Sequence, residues 1–293
     1  MTINLGEYAR EATVALETAL EAGAAVRELY EAASAATYIK GDGSPVTDAD
    51  LASDRIIRER LGAAFPDDAI LTEEGADDEA RLSNRRCWVV DPIDGTQQFI
   101  DRTGEFEVII ALVVDGRPVV GVLYQPTADL ALFAVAGSGA WVRRGEAIEP
   151  FRLRPLPEGQ VPRVFTSVYF GAPESLDLLG HICSQLGGGE PGVSSCGVTT
   201  RGLLPENDRF DVMVGMYIPA REAIAWEWDF AAADLVVHEA GGRFTDLRGN
   251  LHRYNKPGAR NLGGLVMSVD PQTHDRVVRA IARELSTTAR PLS

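Results

Sequence analysis

The residues Trp88-Val89-Val90-Asp91-Pro92-Ile93-Asp94-Gly95-Thr96 hold the densest chemistry in the chain. An apolar run delivers two carboxylates into a turn, and a hydroxyl follows. Trp88 to Val90 reads as a buried strand. Pro92 has a fixed φ and no amide hydrogen, so the strand is expected to stop there. Two carboxylates on one turn can face a single point. That suits a hard divalent cation, and Mg²⁺ takes oxygen ligands in an octahedral array. Three more acidic points sit where predicted elements end: Asp50, Glu73 and Asp229. Asp50 fits two readings, a capping-box partner of Thr47 and a site carboxylate. Glu73 and Glu74 follow a short strand, where neighbouring side chains point opposite ways, so one can face inward while the other faces solvent; taken alone the pair also reads as a solvated loop. Asp229 opens a helix and fits both a cap and a ligand. If these ends converge, the carboxylates repel one another and require cations to stay ionised.

The elements that must position them follow from periodicity. Residues 5–36, rich in Ala, Glu and Leu, predict a long first helix. A Gly- and Pro-containing break at residues 40–45 precedes a second helix from about Thr47 to Ala64, with Asp50, Asp54, Ile57, Leu61 and Phe65 near one face. Residues 69–71 read as a strand and the charged stretch 77–86 as a loop. Two β runs, 108–114 and 119–124, flank Asp115-Gly116-Arg117-Pro118, a hairpin signal; runs at 130–135 and 141–143 continue it. Sequential hairpins predict an antiparallel sheet with the early helices on one face. Residues 150–162 carry four prolines and read as a connection. Beyond it come a strand (164–168), a helix (175–186), a strand-like run (210–217), a helix after Asp229 that ends at Gly241-Gly242, strands near 242–246 and 265–268, and a final helix over 271–285. The expected division is residues 1–150, an α+β half, and 151–293, a mixed α/β half that includes Asp229.

Composition narrows the partners. The chain has 293 residues, is 45 % apolar and carries a net charge of −15. Such a surface argues against nucleic acid and anionic membrane, which select basic patches. An anionic substrate then needs local positive charge, and bound metal supplies it. Cys87, Cys183 and Cys196 are few and widely spaced, which argues against a disulfide framework. No run approaches the ~18 apolar residues of a membrane span, and the N-terminus lacks a signal-peptide pattern, so a cytoplasmic protein is expected.

The whole pattern resembles the inositol monophosphatase superfamily of Mg²⁺-dependent, lithium-sensitive phosphatases. The resemblance rests on Asp91-Pro92-Ile93-Asp94-Gly95-Thr96 with Phe99, on Trp228-Asp229-Phe230-Ala231-Ala232 with Glu239-Ala240-Gly241-Gly242, on Ser44-Pro45-Val46-Thr47 with Asp50, and on Glu73-Glu74. It implies an α+β layered αβαβα sandwich, commonly a homodimer, with two or three Mg²⁺ ions. It further implies that Glu73, Asp91, Asp94 and Asp229, with the Ile93 carbonyl, bind metal, and that Gly95 and Thr96 hold phosphate through backbone amides. Asp50 and Thr96 orient the attacking water, and with Glu73 they make up the catalytic set. The expected reaction is hydrolysis of a small phosphate monoester by metal-activated water, without a phosphoenzyme. Residues 96–106 and Glu227-Trp228-Asp229 are similar to the 3′(2′),5′-bisphosphate nucleotidase branch, although Gln97-Gln98 replaces its usual Lys-Glu. Glu222, seven residues before Asp229, is the candidate for substrate hydroxyls. Inositol or sugar phosphates, histidinol phosphate and 3′-phosphonucleotides all remain open as substrates. The alternatives are a non-catalytic metabolite- or metal-binding relative and a structural Ca²⁺ protein, the latter disfavoured by the lack of EF-hand spacing.

Overall fold

The computed structural model describes residues 3–170, 172–194, 200–203, 210–216 and 225–287. In chain order the helices and strands are α1 (Ala9–Ala32), β1 (Thr37–Ile39), β2 (Pro45–Thr47), α2 (Asp48–Ala64), β3 (Ala69–Thr72), β4 (Arg86–Asp94), α3 (Thr96–Ile100), β5 (Glu107–Val114), β6 (Arg117–Gln125), β7 (Leu130–Val135), β8 (Gly139–Arg144) and β9 (Ala147–Phe151). There follow β10 (Val164–Ser167), α4 (Pro173–Gln185), β11 (Gly192–Ser194), α5 (Thr200–Leu203), β12 (Val212–Gly215), α6 (Glu227–Glu239), β13 (Arg243–Thr245), β14 (Leu265–Ser268) and α7 (Pro271–Thr287).

These elements form two compact units. The first comprises Met1–Phe151, Glu227–Glu239 and Arg253–Ala259; the second comprises Arg152–Trp226, Ala240–His252 and Arg260–Ser293. A cut at residue 150 puts Asp229 in the second half. The structure instead packs its helix, α6, with the first unit, because α6 is apolar nearly all round and is buried from Phe230 to Val237. A helix of that kind needs a core on several sides.

The first unit is built on a seven-stranded sheet in the order β3-β4-β5-β6-β7-β8-β9. It is antiparallel from β4 to β9, of which the hairpin signals predict β5 to β8, while β3 joins the edge parallel to β4. Alternation sorts the strands' side chains. Trp88, Val90, Val108, Ile110, Leu112, Val120 and Val122 pack with Ala12, Ala15, Ala19 and Ala22 of α1 and with Ile57 and Leu61 of α2. Alanines at helical spacing let α1 lie close to the sheet. The opposite face receives α6, whose Ala232 backbone comes so near Gly121 that a Cβ there would stand 2.9 Å from the Ala232 carbonyl oxygen.

Three local expectations change. The first helix ends at Ala33, which adopts φ 50°, and the chain beyond it pairs Thr37–Ile39 with Pro45–Thr47 as a small hairpin. The strand does not stop at Pro92: β4 continues to Asp94 across a bulge, with Asp91 opposite Ile109 and Asp94 opposite Glu107. One extra residue on β4 removes the need for a ladder hydrogen bond from Pro92, the situation in which a sheet accepts proline. Pro150 likewise sits in the edge strand β9, inside a stretch that reads in sequence as connection.

The second unit has a mixed five-stranded sheet, β11-β10-β12-β14-β13. Strands β11, β10 and β12 run parallel, and β14 is antiparallel to both β12 and β13. Its core joins Leu179 and Ile182 of α4 to Val277 and Ile281 of α7 over Val212, Val214 and Val266. Asp270 precedes α7 and accepts hydrogen bonds from the Thr273 amide and hydroxyl, both at 2.8 Å.

Candidate active site

Asp50, Glu73, Asp91, Asp94 and Asp229 lie in the first unit, at an element's end or irregularity. Asp50 is in the first turn of α2, Glu73 directly follows β3, Asp91 and Asp94 bracket the β4 bulge, and Asp229 is in the first turn of α6.

Asp50 completes the capping box with one carboxylate oxygen and reaches Thr96 with the other. Its Oδ2 accepts hydrogen bonds from the Thr47 amide (2.7 Å) and the Thr47 hydroxyl, completing a capping box. Its Oδ1 accepts the Thr96 hydroxyl at 2.9 Å. The residue is fully buried. Burial pushes its pKa above the ordinary carboxylate value, and the hydrogen bonds from Thr47 and Thr96 oppose that rise.

Around it the bulge shapes the rest. The Ile93 amide donates to Asp91 Oδ1 at 3.0 Å, and the Ser53 hydroxyl donates to the Pro92 carbonyl at 2.8 Å. The Ile93 carbonyl lies 3.3 Å from the Thr96 hydroxyl. Gly95 turns the chain with φ 94°, a left-handed value that suits glycine. A Cβ there would also meet the Glu105 carbonyl oxygen at 2.8 Å. The turn sets Thr96 at the head of α3.

Electrostatics tie the carboxylates together. Asp91 is held well above the ordinary carboxylate range, first by burial and then by repulsion from Glu73, Asp94, Asp229 and Asp50. Asp94 is pushed up to about 6 by burial and by Glu73. Such a cluster calls for positive charge. Among the described residues, one cation that meets these carboxylates is a side chain that sequence reading passed over as part of a turn. Lys40, between β1 and β2, donates to Glu73 Oε1 and to Glu74 Oε1, each at 2.7 Å. Burial alone lowers the pKa of the Lys40 ammonium, but Glu73 and Glu74 outweigh it and hold the group above its ordinary value.

The inward-outward alternation expected of Glu73 and Glu74 does not hold. Strand β3 ends at Thr72, so both residues lie on a turn, and the Glu74 side chain, 6 % exposed, is the more buried of the two. Burial first, and then Glu73, push Glu74 up to about 7, against the opposing pull of Lys40. Glu222 lies outside the described residues, as does most of the stretch from residue 195 to 224.

The donors, carboxylates with one backbone carbonyl, fit a hard cation. Among the described residues, however, no three His, Cys, Asp or Glu side chains already stand in metal-holding geometry. Glu73 is turned onto Lys40, and mutual repulsion opposes gathering the remaining carboxylates.

Comparison with known proteins identifies the family of the chain. The sequence pattern of the Inositol monophosphatase family matches residues 7–286. The chain is 32 % identical over 250 residues to the 3′(2′),5′-bisphosphate nucleotidase CysQ of Aggregatibacter actinomycetemcomitans, covering 82 % of this chain and 86 % of that protein. It is 34 % identical over 238 residues to a histidinol-phosphatase of Chlorobaculum parvum, covering 80 % and 85 %. The crystal structure of CysQ from Bacteroides thetaiotaomicron, described as a bacterial member of the inositol monophosphatase family, superposes with a TM-score of 0.69 at 27 % identity, over 90 % of this chain and 99 % of that one. A match over nearly the whole length, with these relatives, means that the chain belongs to the inositol monophosphatase family, whose members are metal-dependent phosphatases.

Proposed function

We propose that the chain hydrolyses a small phosphate monoester with Mg²⁺, and that its preferred ester is a 3′-phosphorylated nucleotide. The observation that carries the site assignment is the Thr96–Asp50 hydrogen bond beside the buried, mutually repelling carboxylates. Glu73, Asp91, Asp94 and Asp229, with the Ile93 carbonyl, would hold two or three ions. When bound, the ions supply a water acidic enough to attack at neutral pH and screen the phosphate charge.

The remaining steps belong to the chain's own residues. Thr96 Oγ1 accepts a proton from the attacking water and donates its own to Asp50 Oδ1. That oxygen is a better base than an exposed aspartate, because burial raises its pKa. Thr47 holds Oδ2 and so fixes the plane of the carboxylate. The amides of Gly95 and Thr96 face the phosphate oxygens. Support for the nucleotide comes from the CysQ relatives; the histidinol-phosphatase of Chlorobaculum parvum makes histidinol phosphate the second ester to test.

The test is a phosphate-release screen with adenosine 3′,5′-bisphosphate, histidinol phosphate, inositol phosphates and sugar bisphosphates, with and without Mg²⁺ and Li⁺. The expected result is Mg²⁺-dependent, Li⁺-inhibited turnover, fastest on the bisphosphate and abolished in Asp91→Asn and Asp229→Asn. Absence of Mg²⁺-dependent release from every ester overturns the proposal. The same preparation tests a homodimer by light scattering and the ion number by metal analysis. A cytoplasmic location is supported by the buried free thiols Cys87 and Cys183. Cell fractionation tests it.

A further inference from the structure

Glu227 opens α6, two residues before Asp229, and its side chain is fully buried. An ionised carboxylate in such a place needs dedicated partners. It has three: the Asn255 amide (2.6 Å), the Lys256 amide (3.2 Å) and the Lys256 ammonium (2.8 Å). The segment that supplies them is itself held from the other side. The Asn255 side-chain amide donates to the carbonyls of Arg81 and Asn84, both at 3.1 Å, and its Oδ1 accepts from Arg81 at 2.8 Å. Arg81, only 4 % exposed, also donates to the Lys256 carbonyl and grips Asp77 through two nitrogens. Asn255 adopts φ 55°, a left-handed conformation that points both its amide and its side chain at these partners.

These contacts make a continuous polar bridge. One end is the Asp77–Arg81 loop, which follows Glu73 and leads into β4. The other end is the first turn of α6, which carries Asp229. The α6 end bears Asp229, and the other end lies four residues beyond Glu73. A helix's first turn is where its backbone frays most readily, because its amides lack partners within the helix.

We propose that Glu227 is a positioning residue: gripped by Asn255 and Lys256, it sets the first turn of α6 so that Asp229 meets the carboxylates of the β4 bulge. Asn255 and Arg81 extend this grip to the loop that follows Glu73. The inference rests on the metal-site reading above. Partners of this kind, one step removed from the ligands, typically change metal affinity about 10–100-fold when lost.

The experiment measures Mn²⁺ binding to the full chain by electron paramagnetic resonance, together with Tm in chelator. The proteins are wild type, Glu227→Gln, Asn255→Gly, Asp229→Asn and the core control Val135→Ala. Glycine suits φ 55°, so Asn255→Gly keeps the backbone path while releasing the segment from Arg81, and it decides the matter if Glu227→Gln fails to fold. The expected result is Mn²⁺ binding weakened about tenfold or more in the bridge variants, with wild-type affinity in Val135→Ala despite a lower Tm. The Mg²⁺ concentration for half-maximal activity rises in parallel, while KM for the ester at saturating Mg²⁺ is unchanged. Bridge variants that lose Tm yet bind Mn²⁺ like wild type overturn the proposal, since the bridge would then serve folding alone. A wild-type chain that binds no Mn²⁺, or an Asp229→Asn variant that binds it equally well, overturns the metal-site reading itself.

Discussion

At Asp50 the two carboxylate oxygens carry separate duties, and this makes a clean experiment possible. Thr96→Val keeps the shape of the side chain and the capping box but removes the donor at 2.9 Å from Oδ1. Its kcat is expected to fall about 10²–10⁴-fold, the usual worth of a proton relay. Thr96→Ser should restore most of it, with little change in Tm for either variant. Asp234 makes a prediction of a different kind. Burial alone raises its pKa, but His238 and Arg117 outweigh burial and hold it below its ordinary value of 3.8. A depressed carboxylate stabilises the fold above its unfolded pKa, and that contribution is lost as pH falls through the lower folded value. Acid unfolding below about pH 4 should therefore be less steep in Asp234→Asn than in wild type, as followed by Tm against pH.

Helix α6 is the element on which the site turns, because it brings a carboxylate from late in the chain to the early sheet. Besides the Glu227 bridge, two further contacts hold it. Asp234, fully buried, accepts a two-nitrogen ion pair from Arg117 on β6 and a 2.8 Å hydrogen bond from Tyr254. Removing Arg117 strands that charge, so Arg117→Met is expected to cost about 3 kcal/mol in denaturant unfolding. The second hold is close packing at Gly121. Gly121→Ala puts a Cβ at 2.9 Å from a backbone oxygen of α6, so the helix must shift rather than a flexible side chain. A cost of about 1–3 kcal/mol is expected, accompanied by weaker Mg²⁺ activation because Asp229 moves with its helix.

Over the whole molecule, 43 acidic residues against 28 basic ones leave a strongly negative surface, with a pI near 4.7. Solubility should pass through a minimum near that pH and recover on either side, which turbidity against pH would measure. The same imbalance explains why positive charge has to be local. Lys40 brings some of it to Glu73 and Glu74, and bound metal would bring the rest.

Much of the site was legible in the amino-acid order because its chemistry is written in short runs. Asp91 to Thr96 lie within six residues and Thr47 and Asp50 are three apart; local geometry alone makes a cap of the second pair, while the first run takes its bulged shape from pairing with β5. The antiparallel order of β5 to β9 is likewise local, since each hairpin closes over a short turn, whereas β4 reaches β5 through a longer connection that contains α3. What the sequence could not specify is which distant pieces meet. Nothing in Lys40 distinguishes it from any turn lysine until β1 and β2 pair and set it on Glu73. Glu227, Asn255 and Arg81 are ordinary polar residues in three separate stretches, and only the hydrogen bonds of the folded chain make them one bridge. Asp229 looked like part of the second half because sequence position suggests neighbours, whereas burial of an all-round apolar helix decides them. Composition and spacing thus determined the donor types, the caps, the turns and the kind of chemistry they serve. Tertiary structure decided which carboxylates share a low-dielectric space, which cation neutralises them and which helix carries the last one, because those outcomes depend on long-range burial rather than on local backbone preference.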